Sequence, residues 1–297
     1  MIFLNILRRT NANWPPPMPA ANISVTLGGW IRAAAATLRT SKISTSQLDA
    51  EIILAHTLNK PRTYLHAHSN DKLPLTYVPV LDARLTLRKN RVPLAYITGH
   101  REFYGRQFFV TPAVLIPRPE TETIIDWVKK DVYANFNKRR ILDVGTGSGA
   151  IGISLSLELP NAHVEVTDIS SSALAVAQKN IANLKAPVAR VFESDLLSAL
   201  SQTDTYDYII ANLPYVDQSW ERSPETAHEP SLALFARSGG LEIIFALISQ
   251  ADRHLTPHGL LLLEADPVQH AAIIAFAQTY GLKTLETTDY LVVLQRS

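Results

Sequence analysis

Apolar residues recur at steps of three and four early in the chain: Leu27, Ile31, Ala34 and Leu38, then Leu48, Ile52 and Ala55. That period lines one face of an α-helix. A third helix is predicted through Leu81 and Leu85. Ser44 and Ser46 stand where an N-cap belongs, and Asn59-Lys60-Pro61 reads as a stop. Residues 23–90 are therefore expected to form a small all-helical unit that carries no recognisable chemistry. Ahead of it, residues 1–22 are expected to be an irregular leader, proline-rich from residue 11 (NANWPPPMPAAN), with Met18 offering a second translation start.

The pattern then changes twice. Over residues 91–113, two aromatic-rich runs flank Gly99 and Gly105, which predicts a β-hairpin connecting two domains. From residue 114 to 297, apolar strands alternate with amphipathic helices. Strands are predicted at Ile141–Val144, His163–Thr167, Val188–Phe192, Tyr206–Ala211 and Gly259–Glu264, with helices at Ser171–Leu184 and Leu241–Leu255. Such alternation makes a parallel sheet covered by helices on both faces. Lys283–Thr287 and Tyr290–Gln295 are close enough in sequence to form an antiparallel edge hairpin.

Composition narrows the partners. The chain has 297 residues, 46% of them hydrophobic and 19% charged, as in a globular protein with a sizeable core. No apolar run approaches the roughly 20 residues that span a bilayer, and Arg8 and Arg9 follow the short N-terminal apolar stretch, the reverse of a secretory signal. A cytoplasmic protein with no membrane partner is expected. With no cysteine, disulfides, thiolate nucleophiles and cysteine-bound zinc are excluded. Basic and acidic residues number 28 and 27, so the phosphate-gripping excess of a nucleic-acid binder is missing.

Four segments carry candidate chemistry. In RILDVGTGSGAIGISL (140–155), a buried strand runs through Gly145, Thr146, Gly147, Ser148 and Gly149 into a helix. Glycines there let the backbone approach a ligand, and the helix start offers free N–H groups. Gly147 to Gly152 also satisfies G-x-G-x-x-G, so a dinucleotide remains a rival ligand. Asp168 ends the next strand, where a carboxylate can accept from ribose hydroxyls; the plainer alternative is that Asp168 or Ser170 caps the following helix. Asp195-Leu196 follows the third strand and on its own reads as a solvated turn. The fourth strand ends in Asn212-Leu213-Pro214-Tyr215. An Asn carbonyl and a backbone carbonyl accept both N–H bonds of a planar amide or amino group, and an aromatic ring holds its plane. A dehydrogenase has no use for such a turn, although an Asn-Pro surface loop remains its plain alternative.

At this point the chain resembles the release-factor glutamine N5-methyltransferases (PrmC/HemK family). The resemblance runs through DAEIILAHTLNKPRTYL (49–65), PLAYITGHREFYG (93–105), LIPRPETE (115–122), DVGTGSGAIGISL (143–155), NLPY (212–215) and EPSLALF (229–235). It implies an α/β class I methyltransferase domain, Rossmann-like, with a mostly parallel sheet and an antiparallel edge hairpin, preceded by a helical substrate-binding domain. It implies S-adenosylmethionine as methyl donor, S-adenosylhomocysteine as product and no metal. Gly145 to Gly149 would bind the methionyl part, Asp168 the ribose, Asp195 and Leu196 the adenine, with Asn212 beside the cofactor as well. Asn212, Leu213, Pro214 and Tyr215 would bind the substrate, Asn212 and Tyr215 catalytically. The implied partner is a class 1 peptide chain release factor, and a monomer is expected. Two departures stand out. Leu213 replaces the family's first proline, giving a turn familiar from rRNA adenine dimethyltransferases, and Arg237-Ser238 replaces glycine-rich sequence. Those rRNA enzymes place their helical domain after the methyltransferase domain and lack PRPETE.

Overall fold

The computed structural model describes residues 25–134 and 140–297. The expected leader at 1–22 and the second start at Met18 lie outside the described residues. The chain divides into two compact units, one ending at Ala83 and one beginning at Arg84.

The first unit is helical. Helix α1 (Leu27–Thr40) buries Leu27, Ile31, Ala34 and Leu38, and the Thr26 hydroxyl caps it by accepting from the Gly29 N–H. Helix α2 (Ser46–Leu58) ends at Asn59 in the left-handed conformation. Two details of α2 differ from expectation. Thr45, not Ser44 or Ser46, is the N-cap, and it makes no side-chain cap bond. The inward stripe is Ala50, Ile53, Leu54 and the expected Ala55, while Ile52 is half-buried and Leu48 is 38% exposed. Apolar residues occupy adjacent faces at positions 52–55, so spacing alone did not say which face turns in. The short α3 (Arg62–Ala67) follows, and α4 (Val78–Lys89) carries the chain across the boundary between units.

The second unit opens with the rest of α4 and α5 (Leu94–Thr98), followed by strands β1 (His100–Phe103) and β2 (Arg106–Phe109), paired antiparallel. The division between the two units falls inside α4. The hairpin packs into the second unit's core. Its Phe103 and Phe108 rings meet edge-on at 5.9 Å within the apolar cluster that holds Ile141 and Val164. After α6 (Glu122–Ala134) come β3 (Arg140–Val144), α7 (Ala150–Glu158), β4 (His163–Asp168), α8 (Ser171–Leu184), β5 (Arg190–Glu193) and β6 (Tyr206–Ala211). A one-turn α9 (Ser231–Leu234), α10 (Glu242–Ala251), β7 (Leu255–Glu264), α11 (His270–Gln278), β8 (Leu282–Thr287) and β9 (Leu291–Arg296) complete it.

The seven strands lie in the order β5-β4-β3-β6-β7-β9-β8. Neighbours from β5 to β7 are parallel, and β9 pairs antiparallel with both β7 and β8. Alternate residues of each central strand serve opposite faces: Ile141, Tyr208 and Ile210 pack in one cluster, Leu142, Ile209 and Ala211 in the other. Burial on both sides explains why these strands read as continuous apolar runs. The chain steps outward from β3 through β4 to β5, then returns to β6 on the other side of β3. The crevice outside the carboxyl ends of β3 and β6 is the place where such sheets bind ligands.

Candidate active site

Strand β3 ends at Val144, and the chain turns through Gly145 (φ 71°), Gly147 (φ 56°) and Gly149 (φ 82°) into α7. These are left-handed values that side chains other than glycine resist. The loop is braced from below by Asp143, whose Oδ2 accepts from the Thr146 hydroxyl at 2.6 Å and from the Gly152 N–H at 2.9 Å. Burial pushes the Asp143 carboxyl up to about 6, against those two bonds.

Asp168, at the end of β4, sets one oxygen on the Gly147 N–H at 2.8 Å and the other on the Ser170 N–H at 2.9 Å. Capping of α8 falls to Ser170, whose hydroxyl accepts from Ala173. Asp168 therefore belongs to the loop; burial raises its pKa. A cavity of about 500 Å³ opens over this loop, and Gly145 to Ser148, Asp168, Asp195, Leu196, Asn212, Leu213 and Pro214 all contribute to its wall. Residues expected at the site from four separate segments are thus brought together, while Gly149 sits just behind as the N-cap of α7.

The turn after β6 faces the glycine loop directly. Leu213 is buried, and a Cβ added at Gly145 would stand 2.8 Å from its Cδ2. Asn212 donates its Nδ2 to the Thr121 hydroxyl at 3.1 Å. Its carbonyl oxygen is then the end left for a ligand. Tyr215 has a different place from the one expected. It is not part of the cavity wall among the described residues; its hydroxyl turns to Glu264 at 3.2 Å, and its backbone carbonyl accepts from Gln269 Nε2 at 2.8 Å. Gln269 also bonds the Gly239 carbonyl, which ties the Arg237–Gly240 segment to this turn. Ser238, in that segment, holds a left-handed φ of 57° that glycine adopts more readily.

The site also contains residues to which sequence reasoning gave no role. Arg118 and Thr121 line the cavity, and Arg118 reaches buried Glu229 at 2.5 Å. The second Glu229 oxygen accepts from the Ile116 N–H at 3.2 Å, so the segments LIPRPETE and EPSLALF are joined at one buried carboxylate. Asn180 of α8 holds the Ser148 carbonyl and both backbone groups of Phe109, linking the glycine loop to the hairpin. The one available signal was a polar residue set in an apolar run, as at Glu264 in LLLLE.

Two family profiles match: PrmC N-terminal domain over residues 29–99 and Methyltransferase small domain over 121–230. A release factor glutamine methyltransferase of Koribacter versatilis is 42% identical over 75% of this chain and 81% of its own length. The chain belongs to the release factor glutamine methyltransferase family. The Escherichia coli member is 35% identical over 83% of this chain and 90% of its own. Among solved structures, the catalytic domain of hMettl16, in complex with an RNA hairpin, superposes with a TM-score of 0.51 at 17% identity. That match covers 79% of this chain and 91% of the other, and it shows the class I methyltransferase fold alone.

The donor that this family uses is S-adenosylmethionine, and the residues present fit it. The cavity has room for it, a carboxylate from β4 reaches the wall, and a side chain at Gly147 would meet nothing within 4 Å, so the loop leaves space over its backbone.

Proposed function

We propose that this chain methylates the side-chain amide nitrogen (N5) of a glutamine in a class 1 peptide chain release factor. The observation that carries the reading is the meeting of Asn212 and Leu213 with the glycine loop in one cavity, with the Asn212 donor end already taken by Thr121. Gly145 to Gly149 hold the methionyl part of the donor, Asp168 the ribose, and Asp195 with Leu196 the adenine. S-adenosylmethionine, when bound, supplies an electrophilic methyl on a sulfonium sulfur.

The protein's own task is orientation. An amide nitrogen is a poor nucleophile because its lone pair is delocalised into the carbonyl. Asn212 Oδ1 and the Leu213 carbonyl accept the two N–H bonds of the substrate amide and aim its nitrogen at the methyl. Both bonds strengthen as positive charge grows on nitrogen, which is the condition for accelerating the step rather than merely binding substrate. Fixing the reactants accounts for the larger part of the rate gain. Tyr215 stiffens the turn from behind through Glu264, in place of the stacking role that the motif suggests.

The test uses the full chain with labelled S-adenosylmethionine and, in separate reactions, a purified class 1 release factor or ribosomal RNA. Label is expected on the release factor, on one glutamine. Label on RNA alone would favour the base methyltransferase that Asn-Leu-Pro-Tyr also fits, and label on neither would remove both.

A further inference from the structure

The wall of the cavity is unbalanced in charge. Among the described residues that line it, Arg118 is the only cation, against the carboxylates of Asp168, Asp195 and Glu242. Its guanidinium is fixed by Glu229, whose Oε1 accepts from Nη2 at 2.5 Å while Oε2 accepts from the Ile116 N–H. The Glu229 side chain is 2% exposed and that of Arg118 34%, so the pair is closed at the acid and open at the base. A guanidinium carries five N–H donors in one plane, and Glu229 takes one of them.

Backbone contacts fix where in the cavity this cation stands. Thr121 donates its N–H to the Arg118 carbonyl at 3.2 Å and accepts from Asn212 Nδ2 at 3.1 Å. Arg118 is therefore at the Asn212 end, whereas Asp168 and Asp195 follow β4 and β5, beyond β3. S-adenosylmethionine bears one anionic group, the carboxylate of its methionyl end. At the glycine loop that carboxylate would meet the charge of Asp168, which is bonded to the Gly147 N–H. It needs a cation to offset that repulsion, and the wall holds one. The planar fork of an arginine suits a carboxylate better than a point charge does.

From this arrangement we propose that Arg118, held by Glu229, binds the methionyl carboxylate of S-adenosylmethionine. The inference rests on the placement of the donor given above, with its adenosine toward Asp168 and Asp195.

Calorimetry on the full chain tests it with S-adenosylmethionine and its decarboxylated form, which differ in that one group. The wild type is expected to bind S-adenosylmethionine about ten- to a hundredfold more tightly, the scale of hydrogen bonds to a charged group. Arg118→Gln, which can still donate to Glu229, should abolish the preference without weakening the decarboxylated form. Arg118→Lys keeps the ion pair, should a glutamine unsettle the wall, and is expected to retain part of the preference. At saturating donor, the KM for release factor should stay within about twofold of wild type. Equal weakening of both ligands would mark a collapsed wall and overturn the proposal. So would a full preference in both variants, which would place the carboxylate elsewhere. Unchanged donor affinities with a raised KM for release factor would overturn it too, by setting Arg118 against the protein substrate. Asp168→Ala should weaken both ligands alike. A changed preference in that variant would put the carboxylate at Asp168 and remove the placement beneath the proposal.

Discussion

Replacing Gly145 by alanine should expose the contact that joins the two halves of the site. Two penalties meet at this position. Its φ of 71° is left-handed, which costs a side-chain-bearing residue about 1–2 kcal/mol. The new methyl would also stand 2.8 Å from Leu213 Cδ2, roughly 1 Å inside the usual carbon–carbon separation. Overpacking of that kind costs about 1–3 kcal/mol, so Gly145→Ala should lose about 2–5 kcal/mol in all. Leu213→Ala alone should lose a similar amount as a buried-leucine truncation, about 2–5 kcal/mol. In the double variant the overlap disappears, while the backbone strain and the lost leucine remain. Its destabilisation should therefore fall short of the sum by about 1–3 kcal/mol. Urea unfolding followed by hydrogen exchange of the β3 and β6 amides reads the sheet without interference from the helical unit. Additivity within about 0.5 kcal/mol would show that Leu213 does not face the loop.

Three further outcomes are expected. Asp143 is fully buried with its carboxyl raised from 3.8 to about 6, so the native state holds its proton longer than the unfolded chain. Its stabilising contribution is complete below about pH 3.8 and is lost as pH rises through about 6. The stability of the wild type relative to Asp143→Asn should therefore fall by about 2 kcal/mol between pH 4 and 7 in urea titrations; a flat difference would refute it. Ser238→Gly should raise stability by about 0.5–1 kcal/mol, because relief of the left-handed φ outweighs the added chain entropy; a loss would show that the serine side chain is held. Asp168→Ala should weaken S-adenosylmethionine binding about tenfold or more in calorimetry, as expected for hydrogen bonds to a charged group; stability loss with unchanged affinity would leave Asp168 as a brace for Gly147.

The parts legible in the sequence were those with local causes. The strands β3 and β6 are buried on both faces and announce themselves as largely apolar runs, β4 shows only the alternation of Val164 and Val166, and Ser171–Leu184 carries a clear helical period. Glycines at 145, 147 and 149 had to mark a turn, since their positive φ excludes most other residues. What stayed hidden depends on pairing across the chain. Glu229 meets Arg118 and Ile116 from a segment about a hundred residues away, and Asn180 reaches the hairpin and the glycine loop at once. Nothing in the spacing of these residues announces such a contact. The inward face of α2 was read correctly at Ala55 but not at Leu48 and Ile52, because Ile52 and Ile53 both look like core residues and only packing separates them. Tyr215 shows the limit of a motif: its neighbours in sequence suggest a substrate contact, while a glutamate on the adjacent strand draws its hydroxyl away.

The most direct test of the central claim is release-factor methylation by Asn212→Ala, with S-adenosylmethionine binding measured on the same sample. Removing an acceptor from a buried N–H costs about 1–3 kcal/mol, and losing the alignment of nitrogen with the methyl adds to that in the transition state. The account expects turnover to fall at least a hundredfold while cofactor affinity stays near wild type, since the glycine loop and Asp168 are untouched. Unchanged turnover with cofactor bound would mean that Asn212 to Tyr215 is only a turn, and the account would be wrong.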